Sequence, residues 1–262
     1  MHKIHRFDHR AMATAWTISI ADEDAESAAW AAEQAIAVID RIEEDLSRFK
    51  PTSYISQLGR LQAGEQLKVS RETYECLELA KAVWHETQGA FDVTVARDPS
   101  SREAWTSGMG QFALCESERI HVSESGLAID LGGLGKGFAL DEISQLYQEH
   151  SISNAFLDSG GSTFLAIGNE SPEAEGWPAT IGPYGVIALK NEALSASGFE
   201  VQGQHIVDPR TGAPVETDRQ RTWVQTESAA LADALSTATL VMSDDEIGEF
   251  CEAHPDVSVM MG

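Results

Sequence analysis

The chain has 262 residues, of which 42 are acidic and 18 are basic, so its formal net charge is −24. Phosphate contacts need a basic surface, and this charge therefore argues against nucleic acid and against an anionic membrane as partners. No apolar run approaches the length of a membrane span, so we expect no membrane insertion. A hydrophobic content of 42% in a chain of this length predicts an ordinary globular core.

The start of the sequence and its cysteines favour the cytoplasm. The first residues lack the apolar segment of a signal peptide. The three cysteines are widely spaced and form no C-x-x-C pair, which is typical of reduced thiols. We expect a cytoplasmic protein, and the sequence gives no indication of its oligomeric state.

The predicted helices and strands alternate irregularly along the chain. In chain order, hydrophobic periodicity and capping residues predict a strand at 16–20, a helix at 26–46, a helix at 70–89, strands at 91–95 and 128–131, a helix around Ile143, strands at 155–157 and 164–167, a helix at 227–242 and a strand at 257–261. There is no strict βαβ period, so we predict an α+β fold with mixed or antiparallel sheets flanked by helices. No long linker divides the chain, which predicts one domain over residues 1–262, or two intimately packed subdomains with the site between them.

A glycine-rich segment with one lysine lies in the middle of the chain. Residues 129–143 read IDLGGLGKGFALDEI and place four glycines around Lys136, between a predicted strand and a predicted helix. Glycines permit close backbone approach, and a helix start offers free N–H groups, so the segment suits a phosphate. Gly137 excludes a Walker loop and Phe138 excludes the dinucleotide G-x-G-x-x-G pattern. A tight turn in which the glycines serve only backbone geometry is the alternative.

The predicted last helix carries a possible metal site. Asp233 and Thr237 are four residues apart and therefore lie on one helical face. A carboxylate and a hydroxyl together suit a hard cation such as Mg²⁺. The alternative is a threonine that hydrogen-bonds to its own helix and a solvated aspartate.

Four further residues have both a functional and a structural interpretation. His205 precedes an Asp-Pro-Arg-Thr-Gly turn and is either a general base or a packed or surface histidine. Arg210, in that turn, contacts a phosphate or faces solvent. Gly160 and Gly161 follow a predicted strand and either expose amides to a phosphate or form a β-bulge or crossover.

Seven short blocks form an ordered set along the chain. They are Met12-Ala13-Thr14; Phe49-Lys50-Pro51-Thr52-Ser53; Phe91-Asp92 with Thr94-Val95; IDLGGLGKGFALDE; Ser159-Gly160-Gly161; Ser197-Gly198 followed by His205-Ile206-Val207-Asp208-Pro209 and Thr211-Gly212; and Ala232-Asp233-Ala234 with Thr237. In this order they resemble the motifs of the ApbE family, the FAD:protein FMN transferases, over almost the whole chain. The glycine–lysine cluster, the His-Ile-Val-Asp-Pro block and the Asp-Ala-x-x-Thr helix are the specific ones.

The resemblance implies an ApbE-like, T-fold-like architecture and an enzyme that binds FAD with Mg²⁺. Such an enzyme moves FMN onto a Thr or Ser hydroxyl of an acceptor protein and releases AMP. By resemblance, Mg²⁺ is held by Asp233, Thr237 and a carbonyl near Gly133, and the catalytic residues are His205 and Asp233. Lys136 faces the diphosphate. The residues implied in FAD binding are Met12, Phe49, Ser53, Asp92, Lys136, Gly160, Gly161, Ser197 and His205.

The resemblance also bears on the acceptor. Acceptors of the family carry a Ser-Gly-Ala-Thr type stretch, which this chain lacks, so we expect it to modify another protein. Departures from the family pattern are Ala13 in place of Gly, Gly59 in place of Asn, Ser162 in place of Asp, and a stretch before His205 without the usual basic, Tyr-containing pattern. These departures leave open a flavin-binding module without turnover. A Mg²⁺-dependent FAD pyrophosphatase, which uses the same site with water as the acceptor, also stays open.

Overall fold

The structure is a computed structural model that describes residues 3–94, 107–198, 207–215 and 217–262. Its helices are α1 (Ala25–Leu46), α2 (Tyr54–Leu58), α3 (Arg71–Glu86), α4 (Gly135–Glu149), α5 (Ala229–Val241) and α6 (Asp244–Ala253). Its strands are β1 (Ile4–Ala11), β2 (Thr14–Ala21), β3 (Gln66–Lys68), β4 (Phe112–Cys115), β5 (Arg119–Val122), β6 (Ala155–Ser159), β7 (Thr163–Ile167), β8 (Trp177–Thr180), β9 (Val186–Leu189), β10 (Glu192–Gly198), β11 (Arg221–Thr226) and β12 (Ser258–Met261).

A seven-stranded antiparallel sheet organises the described residues. Its strand order is β1-β2-β6-β7-β10-β11-β12, and all neighbouring pairs are antiparallel. Two smaller antiparallel sheets have the orders β3-β5-β4 and β8-β9. The predicted α+β class is confirmed, and of the two sheet types we allowed, the antiparallel one is present.

Helices cover one face of the large sheet. Helix α1 packs on β1 and β2, α5 packs on β10 and β11, and α4 lies between α1 and α5. Strand β2 shows why the sheet has an inner face, because Trp16, Ile18 and Ile20 alternate with more exposed residues and are buried in the main core. A smaller apolar cluster around Trp177 and Leu194 includes the β8-β9 hairpin.

The predicted helices are confirmed with small shifts at their ends. Asp24 accepts hydrogen bonds from the amides of Glu26 and Ser27 and so caps α1, and Ser70 caps α3 as the sequence predicts. Gly89, with a φ of +85°, donates from its amide to the carbonyl of Trp84 just after α3. The strands predicted at 16–20, 155–157, 164–167 and 257–261 are also present, as β2, β6, β7 and β12.

Two predicted strands are wrong. Residues 91–94 form a bend and turn, residue 95 lies outside the described residues, and residues 128–131 are irregular. The two segments meet through a bond from the Asp130 amide to the Val93 carbonyl, without forming a ladder. Their apolar side chains are buried, which explains the strand-like pattern, because burial rather than sheet pairing produces it. No helix among the described residues has the length and apolarity needed to cross a membrane.

Candidate active site

The site is built where α4 and α5 cross. A Cβ on Gly137 would overlap the carbonyl oxygen of Ala229, so this glycine lets the first turns of the two helices approach closely. Asp141 of α4 then caps α5, since its carboxylate accepts hydrogen bonds from the amides of Ala229 (2.7 Å) and Ala230 (3.0 Å) and from the Ser228 hydroxyl (2.6 Å). Burial raises the pKa of Asp141 above its ordinary value, against the lowering effect of these hydrogen bonds.

Asp233 projects from α5 into this crossing and is only 3% exposed. The ammonium of Lys136 lies 3.2 Å from Oδ2 and 3.3 Å from Oδ1 of the Asp233 carboxylate. The amide of Gly137 donates to Oδ2 at 3.2 Å, while the hydroxyls of Thr163 and Ser195 reach Oδ1 at 3.1 and 3.3 Å. A buried carboxylate needs such partners, and here a cation and three neutral donors supply them.

Thr237 lies one turn further along α5, beside the glycine segment. Its hydroxyl is 3.2 Å from the Ser197 hydroxyl and 3.4 Å from the carbonyl of Asp233 in its own helix. A Cβ on Gly133 would stand 3.1 Å from the Thr237 hydroxyl oxygen, which places the glycine turn directly against it. The hydrogen bond from Thr237 to its own helix, which the structural alternative expects, is thus present but long. The Thr237 hydroxyl also lines the cavity described below.

Gly160 and Gly161 form the turn between β6 and β7. Both have positive φ, +75° and +70°, and a Cβ on Gly160 would overlap the Thr14 hydroxyl. The Gly161 amide donates to the Asp158 carboxylate at 2.6 Å, and burial raises the pKa of Asp158. The alternative of a β-bulge or crossover is therefore wrong, since the segment is a hairpin turn.

Two adjoining cavities face these groups. The first has a volume of about 480 Å³, and its lining includes Lys136, Gly160, Gly161, Ser197 and Thr237 as well as Asp233 and Gly133. The second, of about 410 Å³, lies beside Phe49 and is also lined by Arg48, Lys50 and Glu43. The two share the wall formed by Met12, Ala13, Leu131 and Gly132, so together they form one two-lobed cleft.

The shared wall contains the two-residue hairpin turn between β1 and β2, which is unusual in having no glycine. Met12 and Ala13 have φ values of +51° and +60°, a region that favours glycine. Glu43 of α1 holds this turn, because its carboxylate accepts from the Met12 amide at 2.6 Å and pairs with Lys50 at 2.9 Å. Ala13, a departure from the family pattern, therefore keeps the left-handed conformation that glycine would adopt more easily.

Phe49 contributes an aromatic ring to the lining of the second lobe, with 78% of its surface accessible. The guanidinium of Arg48 lies 4.4 Å from the centre of its ring and pairs with Asp130 at 3.0 Å. An exposed ring at the edge of a cavity is available to stack on a planar ligand.

The structure places two of the predicted FAD-binding residues outside both cavity linings. Ser53 is buried, donates to the Ser47 carbonyl and caps α2, so it shapes the loop that carries Phe49. The Asp92 carboxylate accepts hydrogen bonds from the hydroxyls of Thr94 and Ser107. A direct contact of either residue with FAD stays a prediction.

His205 lies outside the described residues, so its predicted role as a base also stays a prediction. Arg210 does not lie in the cleft lining. Its guanidinium is held by Asp208 at 2.9 Å and by Glu246 at 2.5 Å, and the residue is exposed, which agrees with the solvent-facing interpretation. A contact of Arg210 with a phosphate stays a prediction.

Sequence reasoning missed three residues that shape the site. Thr163 and Ser195 are register partners on β7 and β10 and share Asp233 as an acceptor. A polar residue within an apolar strand is the signal that points to each of them, but it does not identify the partner. Glu43 belongs to the polar side of a long helix and gave no signal.

The fold and the cleft define an α+β protein whose candidate site is a two-lobed cleft beside the crossing of α4 and α5. The ApbE family model matches residues 12–261, and the chain belongs to this family. Two relatives are named FAD:protein FMN transferase. That of Treponema pallidum (strain Nichols) is 25% identical over 88% of this chain and 76% of its own length. That of Escherichia coli (strain K12) is 23% identical over 92% of this chain and 79% of its own length.

Solved structures share the architecture. The flavin transferase ApbE from Vibrio cholerae superposes with a TM-score of 0.84 at 21% identity, covering 100% of this chain and 94% of that one. The ApbE protein from Thermotoga maritima gives a TM-score of 0.83 at 26% identity, and the match covers 99% of this chain and 94% of that one. The predicted family and the predicted ApbE-like fold are confirmed.

Proposed function

We propose that the protein is an FAD:protein FMN transferase that moves FMN from FAD to a Thr or Ser hydroxyl of an acceptor protein and releases AMP. The observation that carries the proposal is the pairing of Asp233 with Lys136 at the floor of a two-lobed cleft, in a chain that belongs to the ApbE family. Two lobes on either side of a glycine turn suit a ligand with two ring systems joined by a diphosphate.

Cations are gathered around this cleft although the molecule is strongly acidic. Lys136 and Arg221 line the first lobe, and Arg48 and Lys50 line the second. The lobes also contain three carboxylates, which pair with Lys136, Arg48 and Lys50, so the lining is close to neutral. In a chain with 42 acidic and 18 basic residues, a diphosphate therefore meets less repulsion in the cleft than at an average position on the surface.

The residues at the floor of the cleft fit Mg²⁺. Asp233, Thr237 and the carbonyl of Gly132 or Gly133 are hard oxygen donors of the kind Mg²⁺ takes, and the ammonium on Asp233 shows that the carboxylate accommodates a positive charge. When bound, Mg²⁺ would neutralise charge on the diphosphate oxygens.

The chain's own residues then position the reacting groups. Lys136 balances the diphosphate charge, and Phe49 stacks on one ring system. The acceptor oxygen bonds to the phosphorus on the FMN side, the bond from that phosphorus to the bridging oxygen breaks, and AMP leaves. By family resemblance, His205 takes the proton of the acceptor hydroxyl.

The direct test is incubation of the protein with FAD, Mg²⁺ and a peptide containing Ser-Gly-Ala-Thr. We expect AMP release and a matching gain of one FMN in the peptide mass, measured by chromatography and mass spectrometry. AMP without labelling of the peptide or of an added candidate acceptor protein would instead indicate a pyrophosphatase. FAD that binds without AMP release would indicate a binding module.

Asp233→Asn tests the site itself. We expect the transfer rate to fall at least roughly 100-fold, because a lost metal contact removes several kcal/mol of charge stabilisation. Asp245→Asn, an exposed position on α6, is the matched control and should keep the rate. A folded Asp233→Asn protein with full activity would remove the site assignment.

A further inference from the structure

The carboxylate of Asp233 has no free hydrogen-bonding position in this structure. A carboxylate offers about four lone-pair positions. On Oδ2 they are used by Gly137 and Lys136, and on Oδ1 by Thr163, Ser195 and a second contact with Lys136. Any further cation on Asp233 must therefore displace one of these donors.

Lys136 is the donor that can leave. The Thr163 and Ser195 side chains are fully buried between strands and α5, and the Gly137 amide is part of α4. By contrast, the Lys136 side chain is 19% exposed and lines the first lobe of the cleft, and a flexible four-carbon stem carries its ammonium.

The ammonium also occupies the space that a metal would need. Its nitrogen lies 3.2 Å from the Gly132 carbonyl as well as 3.2 Å from Asp233 Oδ2. A carbonyl and a carboxylate oxygen around one cation are two of the oxygens that the metal site would use. Lys136 and a divalent cation thus compete for one position, and mutual repulsion disfavours both together.

We propose that, in the ligand-free protein, the Lys136 ammonium occupies the position beside the Asp233 carboxylate that a divalent cation would take. The ammonium leaves this position when a divalent cation and a nucleotide diphosphate bind together. The inference rests on the proposed function and assigns a second role to a residue of that site. A lysine that leaves a buried carboxylate needs another anion, and a diphosphate in the same cleft supplies one. Each ligand therefore makes room for the other, and their binding is positively cooperative.

The test compares Mg²⁺ binding without nucleotide in the wild-type protein, Lys136→Met and Lys190→Met by isothermal titration calorimetry. Lys190 is exposed and lies outside both lobes, so the control removes the same charge elsewhere. We expect Lys136→Met to bind Mg²⁺ roughly tenfold more tightly than the other two, within the usual range of coupling between sites. Lys136→Gln is the second variant if Lys136→Met does not fold.

Cooperativity is measured as the factor by which Mg²⁺ tightens FAD binding, from flavin fluorescence in EDTA and at saturating Mg²⁺, with AMP assayed to correct for turnover. The factor should be smaller in Lys136→Met than in the wild type. If Lys136→Met binds Mg²⁺ no more tightly than the wild type, while Asp233→Asn still abolishes Mg²⁺ binding, the exchange of Lys136 for Mg²⁺ is wrong but the metal site is not. Mg²⁺ binding that is absent throughout, or unaffected by Asp233→Asn, would overturn the proposed metal site itself.

Discussion

At the scale of single residues, Asp233 owes its environment to groups that are far apart in the chain. Lys136 precedes it by 97 positions, Thr163 by 70 and Ser195 by 38. Helical spacing relates Asp233 only to Thr237, because periodicity reports neighbours within one element. The remaining partners meet because β7 and β10 pair in a register that sets Thr163 opposite Ser195, and because α4 crosses α5 at a glycine.

Phe49 allows a prediction at this scale. Since its ring is 78% exposed, Phe49→Ala should change the free energy of unfolding by no more than about 0.5 kcal/mol. It should weaken FAD binding roughly 5- to 10-fold, because an aromatic stacking contact contributes about 1 kcal/mol beyond buried area. The measurement is a titration of FAD followed by flavin fluorescence.

Trp30 is the matched control for this prediction. It is also an exposed aromatic residue, at 38%, but it lies beside His150 and away from both lobes. Trp30→Ala should leave FAD affinity unchanged. Equal losses in the two variants, or none in Phe49→Ala, would show that the second lobe does not hold a flavin ring.

At the scale of elements, the sequence predicted the helices that have a long run of apolar residues at helical spacing and a capping residue at the start. Helices α1, α3 and α5 combine a buried apolar face with Asp24, Ser70 or Ser228 as cap. Helix α6 was missed despite the capping box of Ser243 and Glu246, because only Ile247 and Phe250 of its ten residues are buried. The short buried runs at 91–94 and 128–131 were wrongly predicted as strands, since an apolar run reports burial and not hydrogen-bond pairing.

The crossing of α4 and α5 gives a prediction for the element scale. Gly137→Ala should lower the free energy of unfolding by about 1–3 kcal/mol, because the new methyl group would overlap the Ala229 carbonyl and push the helices apart. The same shift would move Lys136 relative to Asp233, so activity should fall as well. Urea unfolding and the AMP assay measure the two effects.

Gly248 provides a control of opposite sign. It lies within α6, and a Cβ there would meet nothing within 4 Å. Gly248→Ala should therefore raise the free energy of unfolding by roughly 0.5–1 kcal/mol through helix propensity alone. If Gly137→Ala were as stable as Gly248→Ala, the close approach of the helices would not depend on the missing side chain.

At the scale of the whole molecule, charge is the dominant feature. A net charge of −24 raises the energy of the compact state through self-repulsion, while the lining of the cleft, with four cations and three carboxylates, is close to neutral. The composition predicted the acidity but not this grouping, because Arg48, Lys136 and Arg221 come from a loop, a helix and a strand that only the folded chain brings together.

Salt should therefore stabilise the protein. Raising NaCl from 0.01 to 1 M shortens the screening length from about 30 Å to about 3 Å, which weakens repulsion between surface carboxylates far more than it weakens close buried pairs such as Lys136 with Asp233. We expect the urea midpoint at pH 7 to rise with NaCl. At pH 4.5, the isoelectric point given by the sequence, net repulsion is small, so the rise should nearly vanish.

An equal rise at both pH values would point to a salt effect on apolar surface instead. A fall in the urea midpoint at pH 7 would show that favourable surface ion pairs outweigh self-repulsion.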